Sequence, residues 1–160
     1  MAALLWGHSP VVARWCGGRM GGVFRPDVIA VGILDRRGVL RGAYVLDALN
    51  DSTAELTVYS ERAVTAGTWR EFCRVAFDRF DRLQIHTPRS NKIVKKGVVK
   101  LGWKFECSAR DYYGRGQPAL VYSMTKETCR CLATSARASV ADSSAAVRQH
   151  SASAVVAHHP

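Results

Sequence analysis

Over residues 1–127 the spacing of apolar positions switches between helical periodicity and short strand-like runs, with the switches at glycine, proline and Asn/Asp/Ser clusters. Val11, Val12, Trp15 and Cys16 share one face of a helix predicted over Pro10–Arg19, which runs into the glycine pairs at 17–18 and 21–22, where helices stop and turns open. Val28–Leu34 is a compact apolar run, residues 35–38 form a turn and Val39–Leu46 is a second run, so the pair predicts a β-hairpin. Ala54–Tyr59 gives a third strand after the turn-like residues 50–52. Thr68-Trp-Arg-Glu71 has the form of a capping box, and Trp69, Phe72, Cys73, Ala76 and Phe80 line one face of the helix it opens.

Leu83–Thr87 predicts a short strand closed by Pro88. Ser90 and Asn91 then cap a basic amphipathic helix that ends at Gly102. Its expected buried face is Ile93, Val94, Gly97, Val98 and Leu101, and its solvent face Lys92, Lys95, Lys96 and Lys100. Trp103–Ala109 and Ala119–Met124 give two more strands joined by residues 111–118. The predicted order is α-β-β-β-α-β-α-β-β, an α+β fold on one mixed sheet: the early hairpins are antiparallel, and the strand-helix-strand step favours parallel neighbours.

Composition alters the picture at the C-terminal end. From Thr128 to Pro160 there is no aromatic residue, and Val140, Val147, Val155 and Val156 are too sparse to offset chain entropy. The expectation is therefore one folded domain over 1–127 and a disordered Ala/Ser-rich tail over 128–160. Of the net charge of +10, the tail carries +2 and the domain +8, so the folded part prefers anionic ligands. Five cysteines cannot complete a disulfide framework, which points to a reducing, cytoplasmic compartment. Neither a signal peptide nor an apolar run long enough for a membrane span is expected. Cys129-Arg-Cys131 comes nearest to a metal motif. Tetrahedral zinc usually takes two ligand pairs, so these are read as idle thiols and no metal is expected.

The stretch from Asn91 to Glu106, an Asn-opened helix ending in Lys100-Leu-Gly-Trp103 before a strand, resembles the Gcn5-related N-acetyltransferase (GNAT) superfamily. Arg110-Asp-Tyr-Tyr113 and the closing Tyr122-Ser-Met124-Thr-Lys-Glu-Thr-Cys-Arg130 are similar to it too, especially to its short single-domain bacterial and phage members. The resemblance covers residues 1 to about 130. It implies an acyl-CoA N-acyltransferase fold and transfer of acetyl from acetyl-CoA to an amine by direct attack on the thioester. The family's pyrophosphate loop, Q/R-x-x-G-x-G/A at a helix entrance, corresponds to Arg62-Ala-Val-Thr65-Ala66-Gly67, which keeps Arg62 and Gly67 and has Thr65 in place of the middle glycine. Arg62, Thr65, Ala66, Gly67 and Thr68 are thus candidate contacts to the cofactor phosphates, through backbone N–H groups, a positive helix end and a guanidinium.

On the same basis the backbone N–H near Val58 would stabilise the oxyanion, and Asn91 would contact the pantetheine arm. Glu55, on the strand expected to splay open, is the candidate base that deprotonates the acceptor amine. Many relatives carry a tyrosine acid seven residues after the helix-opening Asn. That position is Val98 here, so Tyr112 is the candidate acid, with Tyr113 beside it as the alternative, while His86, at a strand end, is read as a structural histidine ahead of a base. The expected partner is an amine-bearing protein or small molecule, with no membrane, and the protein is a monomer or homodimer. The alternative is a weak or inactive GNAT-like module binding nucleic acid or a host protein. It would use the Lys92, Lys95, Lys96 and Lys100 face with Arg74, Arg79 and Arg82, and Trp69 or Trp103 for stacking.

Overall fold

The computed structural model describes residues 2–61 and 63–133. Its elements run β1 (Ala3–Leu5), α1 (Ser9–Met20), β2 (Ile29–Leu34), β3 (Leu40–Ala48), β4 (Thr53–Ser60), α2 (Ala66–Arg79), β5 (Arg82–Pro88), α3 (Lys92–Leu101), β6 (Lys104–Ala109) and β7 (Ala119–Thr125). From α1 onward this is the predicted order. The additional β1 is three residues long, too short to carry an alternation, and exists because its backbone pairs antiparallel with the outer edge of β2.

Local chemistry places the helix ends. α1 stops where Gly21 adopts the left-handed conformation. α2 starts three residues before the predicted capping box, with Thr65 rather than Thr68 as its N-cap. The hydroxyl of Thr65 accepts from the Thr68 N–H and that of Thr68 accepts from the Thr65 N–H, so the buried Thr68 takes the part expected of Glu71. α3 is capped by the Asn91 side chain, which accepts from the Val94 N–H. Its buried face is narrower than predicted: Val98 is buried and Val94 half-buried, but Gly97 and Leu101 are exposed. Among the described side chains of the helix, Val98 and Val94 join the core, together with Trp103 just after it.

All seven strands join one sheet in the order β1-β2-β3-β4-β5-β7-β6, antiparallel throughout except for the parallel β4–β5 pair. α1 packs on one face over Val28, Ala30, Ala43 and Val45. α2 and α3 cover the other through Trp69, Phe72, Cys73, Phe77 and Val98 against Tyr44, Leu46, Leu56, Leu83 and Ile85. The centre of that larger core is aromatic, with Tyr44 stacked on Phe72 at 4.2 Å. Burial continues beyond the expected domain limit at Glu127: Cys129 is fully buried, Cys131 and Leu132 pack on the same core, and residues 130–133 form a helical turn. The rest of the expected tail, residues 134–160, lies outside the described residues. Among those described, no helix is long and apolar enough to cross a membrane.

Candidate active site

β4 and β5 pair only from Thr53 opposite Arg82 to Glu55 opposite Gln84. β4 then stays with β3 through Ser60, while β5 follows β7 through Pro88, so the two strands part after Glu55 and Gln84. The Glu61 N–H donates to Arg41 on the β3 side, and the Leu49 N–H donates to the Thr53 carbonyl on that side. Since strand N–H groups alternate, the odd residues of β4 bond β3 and the N–H of Val58 points into the opening. The Val58 side chain is partly exposed there.

Side chains at the point of divergence form a connected polar group. On β5, Leu83, Ile85 and Thr87 turn to the α2 core, leaving Arg82, Gln84 and His86 on the opposite face beside Glu55 of β4. His86 Nδ1 lies 2.8 Å from Glu55 Oε1, and the Tyr112 hydroxyl donates to the same oxygen at 3.3 Å. The Tyr112 ring stacks on the imidazole at 4.4 Å and 6°. Arg82 donates to Gln84 Oε1, which turns the Gln84 amide nitrogen toward His86 Nε2, 3.4 Å away. An amide nitrogen only donates, so Nε2 is the acceptor and the imidazole proton sits on Nδ1, directed at Glu55. Arg82 also pairs with Glu106, which accepts from Ser123. Glu106 sits where the β6–β7 register shifts, and the bulge brings its carboxylate to β5. Burial first, then the Glu55 charge, pushes the Tyr112 phenol up to about 12, so it keeps its proton at neutral pH.

At the other end of the opening, an open pocket of about 800 Å³ lies against the N-terminus of α2, lined by Thr65, Ala66, Gly67 and Thr68 together with Arg36, Arg41 and Glu61. The loop amides can be accounted for one by one. Ala63 and Val64 donate to the Ser60 hydroxyl, Thr65 and Thr68 to each other's side chains, and Ala66 and Gly67 have no acceptor among the described residues. Two adjacent N–H donors at a helix N-terminus suit an anion. Arg41 is held by Asp35 and Glu61, whereas Arg36 has no ion-pair partner among the described residues.

No protein-family profile matches the chain. No curated protein matches it either. Solved structures do. A spermidine/spermine N-acetyltransferase from Vibrio cholerae superposes with a TM-score of 0.61 at 12% identity, covering 79% of this chain and 96% of that one. An Acinetobacter baylyi protein described as an acetyltransferase gives 0.61 at 14% identity, covering 80% and 94%. One described as a phosphinothricin N-acetyltransferase gives 0.60 at 13% identity, covering 78% and 98%. The chain has the Gcn5-related N-acetyltransferase fold.

Within this GNAT fold, Glu55 and Tyr112, singled out from the sequence, come together, and so do Thr65, Ala66, Gly67 and Thr68 at the α2 pocket. Arg62 lies outside the described residues. Asn91 is half-buried and serves as the α3 cap. His86 proves to be a direct neighbour of Glu55. Gln84 and Arg36 are additions that the structure makes: Gln84 has only its alternation with His86 as a sequence signal, and Arg36, on the β2–β3 turn, reaches the α2 end only through sheet pairing. Trp69 and Trp103 are buried at 5% and 4% exposure and cannot stack on bases, which removes the aromatic part of the nucleic-acid alternative.

Proposed function

We propose that the protein is an N-acetyltransferase that carries acetyl from acetyl-CoA to an amine by direct attack of the amine on the thioester. The observation that supports it most is the Glu55–His86–Tyr112 group standing where β4 and β5 part, with a free N–H of Val58 directed into the same opening. The phosphates of the cofactor would meet the Ala66 and Gly67 N–H groups and Arg36 at the α2 end, and its pantetheine arm would run between the strands toward Glu55. A lysine-like amine, with a pKa of about 10.4, is mostly protonated at pH 7, and releasing its proton costs about 4.6 kcal/mol. Glu55 is the acceptor for that proton, held in place by the His86 Nδ1–H and the Tyr112 hydroxyl. The oxyanion that develops on the thioester carbonyl is met by the Val58 N–H. Tyr112, protonated at neutral pH, has a proton to give to the departing thiolate, whose own pKa of about 8.5 makes that help modest.

The test is Glu55→Gln, which keeps the shape and removes the proton acceptor. Its kcat should fall by about 10²–10⁴ near neutrality and recover toward wild type as pH approaches the pKa of the amine. A deficit that stays flat with pH would assign Glu55 to holding the strands, and wild-type turnover at pH 7 would remove it from the mechanism. A mass-spectrometric screen of protein N-termini, lysines, polyamines and aminoglycoside-like amines identifies the acceptor. Acetyl-CoA binding without turnover on any of them would favour a binding module.

A further inference from the structure

We propose that Cys73, Cys129 and Cys131 form a binding site for one thiophilic d¹⁰ metal ion, Zn²⁺ or Cu(I), that fastens the chain after β7 to α2. Nothing in this depends on the acetyltransferase reading. The three sulfur atoms lie within 4.8 Å of one another. Three thiolates around one such ion, at about 2.3 Å each, sit about 3.8 Å apart, so the cluster needs only small side-chain adjustments to close on it. Cys129 Sγ and Cys131 Sγ are 3.2 Å apart, closer than plain van der Waals contact between sulfurs.

The cluster is part of the larger core, with Cys73 and Cys129 inside it and Cys131 packed against it. The backbone carbonyl of Cys129 accepts from the N–H groups of Leu132 and Ala133, which closes the helical turn 130–133 and holds Cys131 beside Cys129. Arg70 acts on Cys131 from outside and offsets part of the negative charge that three thiolates leave around the ion. Cys73 and Cys129 are fully buried, and half-buried Cys131 gives the ion its way in. Binding is a ligand exchange: each coordinating thiol releases its proton to solvent and forms a sulfur–metal bond, with no change of oxidation state. The remaining cysteines, Cys16 in the α1 core and exposed Cys107 on β6, lie outside the cluster and serve as internal controls.

The full chain, purified under reducing conditions and stripped with a chelator, is titrated with Zn²⁺ and, in a separate arm, with Cu(I), each against a chromogenic competitor; Cd²⁺ then reports the number of thiolates by its charge-transfer absorption. The proposal expects one ion per chain in at least one arm, a cadmium band of three thiolates and a raised melting temperature. Cys131→Ser should weaken binding at least tenfold and cut the band by a third, whereas Cys107→Ser should change neither. Because Cys131 is only half-buried, its serine variant should remain folded even where Cys73→Ser does not. No stoichiometric binding in either arm overturns the site, as does binding that survives Cys131→Ser. So does oxidation of two thiols to a disulfide without any metal uptake, which would make the cluster a redox pair.

Discussion

Glu55 shows how little of a side chain's role is local. In sequence it is one acidic residue in an alternating strand; in the fold its carboxylate receives His86 and Tyr112, from β5 and from the loop before β7, and is only 25% exposed. The tyrosine makes a pH signature. Its pKa is raised to about 12 by burial and by Glu55, so the folded state prefers the neutral phenol. Below about pH 10 folded and unfolded chains both keep that proton and the contribution is intact, but between about 10 and 12 the unfolded tyrosine ionises first and the native state loses stability as pH rises. Tyr112→Phe should therefore lose less stability than wild type between about pH 10 and about pH 12, read as the shift in urea midpoint. An equal loss in both proteins would mean that the phenol is not held neutral by the fold.

At the scale of elements, the ends of α2 and α3 carry most of the consequence. Gly67 stands in the first turn of α2, its backbone is ordinary, and an added Cβ would meet only the Thr65 hydroxyl, at 3.7 Å. Gly67→Asp should hold or slightly raise the melting temperature, since a carboxylate in the first turn is worth about 0.3–1 kcal/mol. It should also weaken coenzyme A binding at least tenfold by calorimetry, and unchanged affinity would move the phosphates elsewhere. Gly102 behaves oppositely. Its φ is 104°, and a Cβ there would stand 2.0 Å from the Thr128 carbonyl oxygen. Gly102→Ala should destabilise by more than about 1 kcal/mol, visible as a melting temperature several degrees lower. The sequence marks Gly102 as the stop of α3, but the close passage of residue 128 is a tertiary fact that no helix rule contains.

For the whole molecule, the segment after β7 decides where the folded unit ends. Alanine- and serine-rich composition suggests a limit at Glu127, yet Cys129 is fully buried and Leu132 packs beside it. Truncation after Ala133 should leave the melting temperature within about a degree, whereas truncation after Glu127 should lower it by about 5 °C or more, because it empties a core position and exposes α2. Thermal melts of the two truncated chains decide this, and equal melting temperatures would put the domain limit back at Glu127.

The periodicities of residues 10–124, with Pro88, Asn91 and Gly102 as punctuation, determine the order of helices and strands from α1 to β7, because an element that buries one face must repeat its apolar positions at the period of its backbone. They also place Glu55 on a strand, Thr65–Thr68 at a helix entrance and Tyr112 in a loop. Pairing is what they leave open. The divergence of β4 from β5, the meeting of Glu55 with His86 and Tyr112, the approach of Arg36 to α2 and the convergence of Cys73 with Cys129 and Cys131 all join residues far apart in the chain. Strand register and helix packing decide such contacts, and they are set by the fit of whole faces against one another, which no local window of sequence contains.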